Sequence, residues 1–186
     1  ALPIYLFLRP GLEGGMRDAR ILAWLLADPA RVAQLRPDQL EAVHIIGAAE
    51  GLADALEARL AGAARVDLPG ECAAMLCSAA QNLLGQGDLE AGLAQLWHIH
   101  LVICQGQQQP DFWANVRDHA RTLRITRHVS RALRLSHHLF ETPVDPYLAW
   151  QGQRTDIFFM GRLLARNGRG EETAKLLRLA FRLDRK

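Results

Sequence analysis

The sequence holds no apolar run near the roughly 18 residues that a membrane-spanning helix requires. The short apolar stretch Tyr5 to Leu8 lacks the layout of a signal peptide, so neither a span nor export is expected. Cysteine is scarce. Cys72, Cys77 and Cys104 are odd in number and form no C-x-x-C pair, which argues against a disulfide framework and for a reducing, cytoplasmic compartment. Cys72 and Cys77 lie five apart, a poor match to one helix face, and read as small buried hydrophobes. Charge of one sign is also lacking: the net value of +2 is too small to imply a polyanion partner. Runs of β-branched residues and sustained period-two alternation are missing, which excludes a buried parallel sheet.

What is present is apolar and unbranched. Of 186 residues, 49% are apolar, mostly Leu and Ala, which lose little rotamer freedom in helices. Connections read as short, so the expected fold is all-α, an antiparallel bundle of about eight or nine helices. The opening Ala1-Leu2-Pro3-Ile4 looks like a translated sequencing-adapter end. With breaks at Pro10-Gly11 and Gly14-Gly15, residues 1–15 read as a non-native or disordered leader before Met16. Residues 16–64 are expected to form an N-terminal helical subdomain and residues 65–186 a C-terminal one.

Along the chain, the spacing predicts a helix over 16–27, a restart at Asp28-Pro29, and a second Pro-led start at Arg36-Pro37-Asp38 before a helix over 39–49. Leu40, Val43, His44 and Gly47 would share one face. Leu52, Ala55, Leu56, Arg59 and Leu60 mark the next helix. Residues 65–68 are the one candidate for a short strand. A helix with small residues on one side follows over 71–84, and Asp88 is expected to cap a helix over 89–104. There Leu93, Leu96, Trp97, His100 and Leu101 recur at three and four, so this helix should be central. Asp111 is expected to cap 112–123, followed by 125–140. A helix over 147–167 with a break at Gly152, a turn at Gly168-Arg169-Gly170 and a helix over 171–183 complete the reading. Residues 161–183 resemble half of a tetratricopeptide repeat, but no repeat near 34 residues exists, so they read as a helical hairpin.

Candidate metal or catalytic constellations are poor. His98 and His100 are two apart and His137 and His138 adjacent, whereas helical ligand pairs need three or four. His44, His100 and His137 read as core histidines on apolar faces. Arg117, Arg121, Arg124, Arg127, Arg131 and Arg134 recur at three and four. On an unbroken helix they would line one basic stripe able to meet phosphates, or else a solvated face with apolar stems. No aromatic residues interleave to stack bases, which disfavours nucleic acid.

A family resemblance enters through residues 71–84, residues 93–103, Asp111-Phe112-Trp113, and Ala132-Leu133-Arg134-Leu135-Ser136-His137-His138-Leu139-Phe140 before Pro143. This layout resembles the C-terminal helices of a bacterial family of uncharacterised nucleotidyltransferases of the DNA polymerase β-like fold. Leu25-Leu26-Ala27-Asp28-Pro29 and Leu35-Arg36-Pro37 are similar to that family's N-terminal helices. The resemblance implies a catalytic sheet between the two helical regions, where this chain has only residues 62–69. It also implies a Gly-Ser turn and an Asp-x-Asp pair holding magnesium at the transferred phosphate. The sequence contains neither. Glu41-x-x-His44 faintly matches the family's Glu-x-His, but its spacing differs by one and it falls in a helix.

The expectation is therefore the helical part of a nucleotidyltransferase-like protein, inactive alone, with no catalytic residue, cofactor or metal site of its own. Magnesium is expected only with a supplied catalytic domain. A non-enzymatic helical interaction module is the alternative, and nucleic-acid binding through the six arginines a weaker one. The expected partner is a protein or the missing catalytic domain.

Overall fold

A computed structural model describes residues 13–62, 70–85, 89, 91–150 and 156–173. Most of the leader (residues 1–12), the candidate strand over 65–68, the Asp88 cap, the Gly152 break and residues 174–186 of the last helix lie outside these residues. Among the described residues stand nine α-helices, one 3₁₀ helix and no strand, so the fold is an all-α bundle.

The first helix, α1 (Glu13–Ala27), starts three residues before Met16. Asp28 then caps a 3₁₀ helix (Pro29–Gln34): its side chain accepts from the Ala30 N–H at 3.1 Å, and Pro29 needs no such partner. The second restart works through a different residue. At the head of α2 (Pro37–Ala49), the Gln39 side chain accepts from the Arg36 N–H. Helix α3 (Ala53–Leu60) sends Arg59 back to the C-terminal carbonyls of α1, donating to Leu26 and Ala27 at 3.0 Å each. Those carbonyls have no partner within their own helix, so the guanidinium closes that end.

Helix α4 (Cys72–Gly85) packs against three later helices: α5 (Gly92–Gly106), α6 (Phe112–Thr122) and α7 (Thr126–Phe140). Its buried face carries Ala73, Cys77 and Ala80, small side chains that let these neighbours approach. The Cys77 thiol donates to the Val116 carbonyl at 3.7 Å, and burial pushes its pKa up to about 11. Such a thiol is a packing group rather than a nucleophile. Helix α1 joins the same core by packing on α2, α3 and α7, so Leu22, Leu25 and Leu26 share one buried cluster with Leu96 and Leu133.

Three boundaries differ from the sequence reading. Helix α5 begins at Gly92 rather than Leu89, because Leu89 (φ 53°) and Ala91 (φ 48°) are left-handed and cannot belong to a right-handed helix. Asp111 occupies the cap position of α6, but its side chain makes no capping bond. The expected helix over 147–167 is instead α8 (Pro146–Ala149) and α9 (Ile157–Leu163), followed by an Arg166 to Glu172 bridge across the Gly168 turn. Residues 171–173 therefore run extended, not helical.

One glycine is required by close approach. A Cβ on Gly106, at the end of α5, would lie only 2.3 Å from Cε2 of the Phe112 ring, which is itself buried. Gly106→Ala is expected to cost about 1–3 kcal/mol through overpacking, read as a lowered denaturant midpoint at unchanged slope.

Candidate functional site

His44, His100 and His137 differ in burial. His44 is exposed on α2, whose buried residues are Val43, Ile46 and Gly47, which corrects its assignment to an apolar face. His137 is exposed as well, although its Nδ1 meets the Thr142 carbonyl at 2.9 Å. Of the three, only His100 is half-buried. Its ring stacks on Trp97 at 4.7 Å and tilts against Phe140 at 5.7 Å.

The polar side of His100 is a closed network. Thr142 donates its hydroxyl proton to the Ser136 carbonyl at 3.0 Å. Its oxygen is then free to accept from the Ser136 hydroxyl at 2.6 Å and from His100 Nδ1–H at 2.9 Å. That leaves His100 Nε2 as an acceptor, 3.7 Å from the Cys104 sulfur. Burial, with the Arg59 cation adding to it, lowers the His100 pKa to about 4. A neutral imidazole beside a thiol does not make the thiolate–imidazolium pair of a cysteine nucleophile. The network therefore reads as a satisfied polar seam between α5 and α7.

An acid lability follows. Between pH 6.5 and 4 the unfolded chain binds the His100 proton and the folded one does not, so stability is full above that window and falls through it. The loss is expected to reach at most about 3 kcal/mol at low pH. His138, also lowered by burial first and then by His137, adds in the same sense. Urea melts across this range should therefore flatten, without becoming level, in His100→Gln.

The six arginines do not form one stripe. Helix α6 ends at Thr122, and Arg124 takes a left-handed turn (φ 56°) before α7 begins at Thr126. Arg117 pairs with Asp145 at 3.3 Å. Arg131 and Arg134 converge on Asp156, at 2.9 and 2.6 Å, and Arg134 also donates to the Ala149 carbonyl at 2.6 Å. Arg134 is only 6% exposed, so it is an internal clasp rather than a surface cation. Arg121, Arg124 and Arg127 are exposed and pair with no described carboxylate. Leu123, among them, is 51% exposed.

Sequence reasoning missed an exposed apolar set beside these helices: Tyr147 at 81%, Phe158 at 57%, Ile157 and Trp150. Trp150 meets the His137 ring edge-on at 5.7 Å. The signal was available in principle, since Asp145-Pro146 announces a short capped helix, and a one-turn helix cannot bury all its side chains. Indeed the Asp145 carboxylate accepts from the Tyr147 and Leu148 N–H groups.

One concavity is small and lined by charge, and another is larger but open. A cavity of about 70 Å³ beside Glu50, Arg162, Arg166 and Glu172 is far below the roughly 300–1,000 Å³ of ligand pockets. Its charges pair off, Arg166 with Glu50 and Arg162 with Glu172. An open groove of about 610 Å³ runs between α4 and α5, lined by Met75, Ala79, Asn82, Ala94, Gln95 and His98. Among the described residues no three His, Cys, Asp or Glu side chains gather to hold a metal ion, and no helix is long and apolar enough to cross a membrane. No family model, no curated protein and no solved structure matches this chain.

Proposed function

We propose that this protein is a non-enzymatic helical interaction module that docks a protein partner over α8 and its flanks. The observation carrying this reading is the concentration of exposed large apolar side chains there. Among the described residues, Leu123, Tyr147, Trp150, Ile157 and Phe158 are five of the six such side chains, and Ile45 is the sixth. Large apolar side chains left exposed close together in the chain mark a surface for a partner to cover. No cysteine among the described residues is in a disulfide, which fits a reducing, cytoplasmic setting.

A photo-crosslinking phenylalanine at position 147 tests this in cells. A discrete protein adduct is expected from that position and none from a probe at Glu57, an exposed residue on α3. Equal labelling at both positions, or none at position 147, would overturn the reading.

A second reading, the helical flank of a nucleotidyltransferase-like protein, is favoured by one packing observation. The C-terminal stretches that carry the resemblance become α4, α5, the head of α6 and α7, and their apolar residues join a single buried cluster. On this reading magnesium enters only with a partner domain bearing paired carboxylates. The purified chain is then expected to transfer no nucleotide from ATP, GTP, CTP or UTP with magnesium or manganese. Turnover abolished by Glu41→Gln would sink it.

A further inference from the structure

We propose that the corner between α6 and α7 binds an acidic segment of the partner protein, with Leu123 and Tyr147 as apolar anchors and Arg121, Arg124 and Arg127 meeting its carboxylates. This rests on the docking reading and names the partner's chemistry. The placement follows from helix geometry. Arg121 lies one turn beyond Arg117 on the same face of α6, and Arg117 holds Asp145 at the head of α8. Arg127 lies one turn before Ser130 and Arg131 on α7. Ser130 donates to the Leu148 carbonyl at 2.7 Å, and Arg131 holds Asp156. Helix α8 is thus pinned to both helices beside their corner, and Tyr147, which lies in sequence between the pinned residues Asp145 and Leu148, is 81% exposed.

The charge there is one-sided. From Phe112 to Phe140 the chain has six arginines and a single carboxylate, Asp118. Asp145 and Asp156 arrive from later in the chain and answer Arg117, Arg131 and Arg134. The remaining three guanidiniums stand in water around a half-exposed leucine. Acidic side chains are what such a surface lacks, and an aliphatic anchor is what Leu123 can pack.

Nucleic acid fits less well. The net charge is only +2, three cations give little counterion release, and a leucine offers no face for base stacking. A symmetric contact with a second copy fits no better, since it would set these arginines against themselves.

Fluorescence anisotropy with the full chain decides the matter. The probes are a labelled peptide of about 16 residues alternating Glu pairs with Leu at helical spacing, its Lys-for-Glu counterpart, and single-stranded DNA and RNA of about equal length. The acidic peptide is expected to bind, more weakly at about 200 mM than at about 50 mM salt. The double variant Arg121→Glu/Arg127→Glu should weaken it about tenfold or more, and Leu123→Ser should weaken it with little change in salt dependence. All three positions are exposed, so thermal melts of the variants should match the parent. No peptide binding, equal binding of the Lys counterpart, indifference to the arginine variants, or tighter binding of an oligonucleotide would each overturn the proposal. If the peptide fails while position 147 still captures a partner in cells, the acidic chemistry is wrong and the docking reading stands.

Discussion

Trp97→Ala is expected to lower the unfolding free energy by about 3–5 kcal/mol, while Arg124→Ala changes it by less than about 0.5 kcal/mol. Trp97 is 5% exposed, lies flat on His100 and meets the Phe140 ring edge-on at 5.1 Å. Truncation removes the largest apolar side chain of α5 and leaves a void between α5 and α7 that rings cannot collapse to fill. It also lets water reach His100, so the pH dependence between 6.5 and 4 should shrink in the same variant. Arg124 is exposed at a left-handed corner, and alanine adopts that corner with about the same strain. Paired denaturant melts of the two variants, each at pH 7 and pH 5, read both effects. A mild Trp97→Ala would mean that the α5–α7 seam is not a cohesive part of the core.

The burial of this tryptophan was legible in the sequence because it rests on local periodicity. Leu93, Leu96 and Trp97 recur at helical spacing and all lie inside, although Leu101 is only partly covered and Ile99, Val102 and Ile103 take the fuller burial. The all-α class followed from the same source. What escaped was set by backbone torsions or by distant partners. The left-handed φ values at Leu89, Ala91 and Arg124 belong to residue types that give no local warning. His44 shared a spacing with apolar residues, yet α2 is rotated so that Ile46 and Gly47 face inward. Among the candidate site residues, the spacing at three and four correctly put Arg127, Arg131 and Arg134 on one helix. Their fates diverged because Asp156 lies more than 20 residues later, across α8, and nothing near them announces it.

That nonlocal carboxylate makes Arg134→Ala the other severe substitution, expected to cost about 3–5 kcal/mol. The guanidinium reaches Asp156 through Nε at 2.6 Å and Nη2 at 3.2 Å, while Nη1 serves the Ala149 carbonyl near the end of α8. One side chain thereby ties α7 to α8 and to the start of α9. Removing it leaves the Asp156 carboxylate, which is 9% exposed, with one of its two guanidinium partners gone and leaves a carbonyl unanswered. Arg131 would still hold Asp156 at 2.9 Å and cover the Phe159 ring at 4.0 Å, but it is more exposed and reaches no carbonyl of α8. Arg134→Lys should recover little, because an ammonium cannot meet a carboxylate in a fork and a carbonyl together. The pairwise term is isolated by a double-mutant cycle. Arg134→Ala combined with Asp156→Ala should cost clearly less than the sum of the single variants, since the second change removes the carboxylate that had lost the Arg134 fork. Additive costs in that cycle, or a cost for Arg134→Ala below about 1 kcal/mol, would show that Arg134 is solvated in solution. Its guanidinium would then join Arg121, Arg124 and Arg127 as a fourth cation available to an acidic partner.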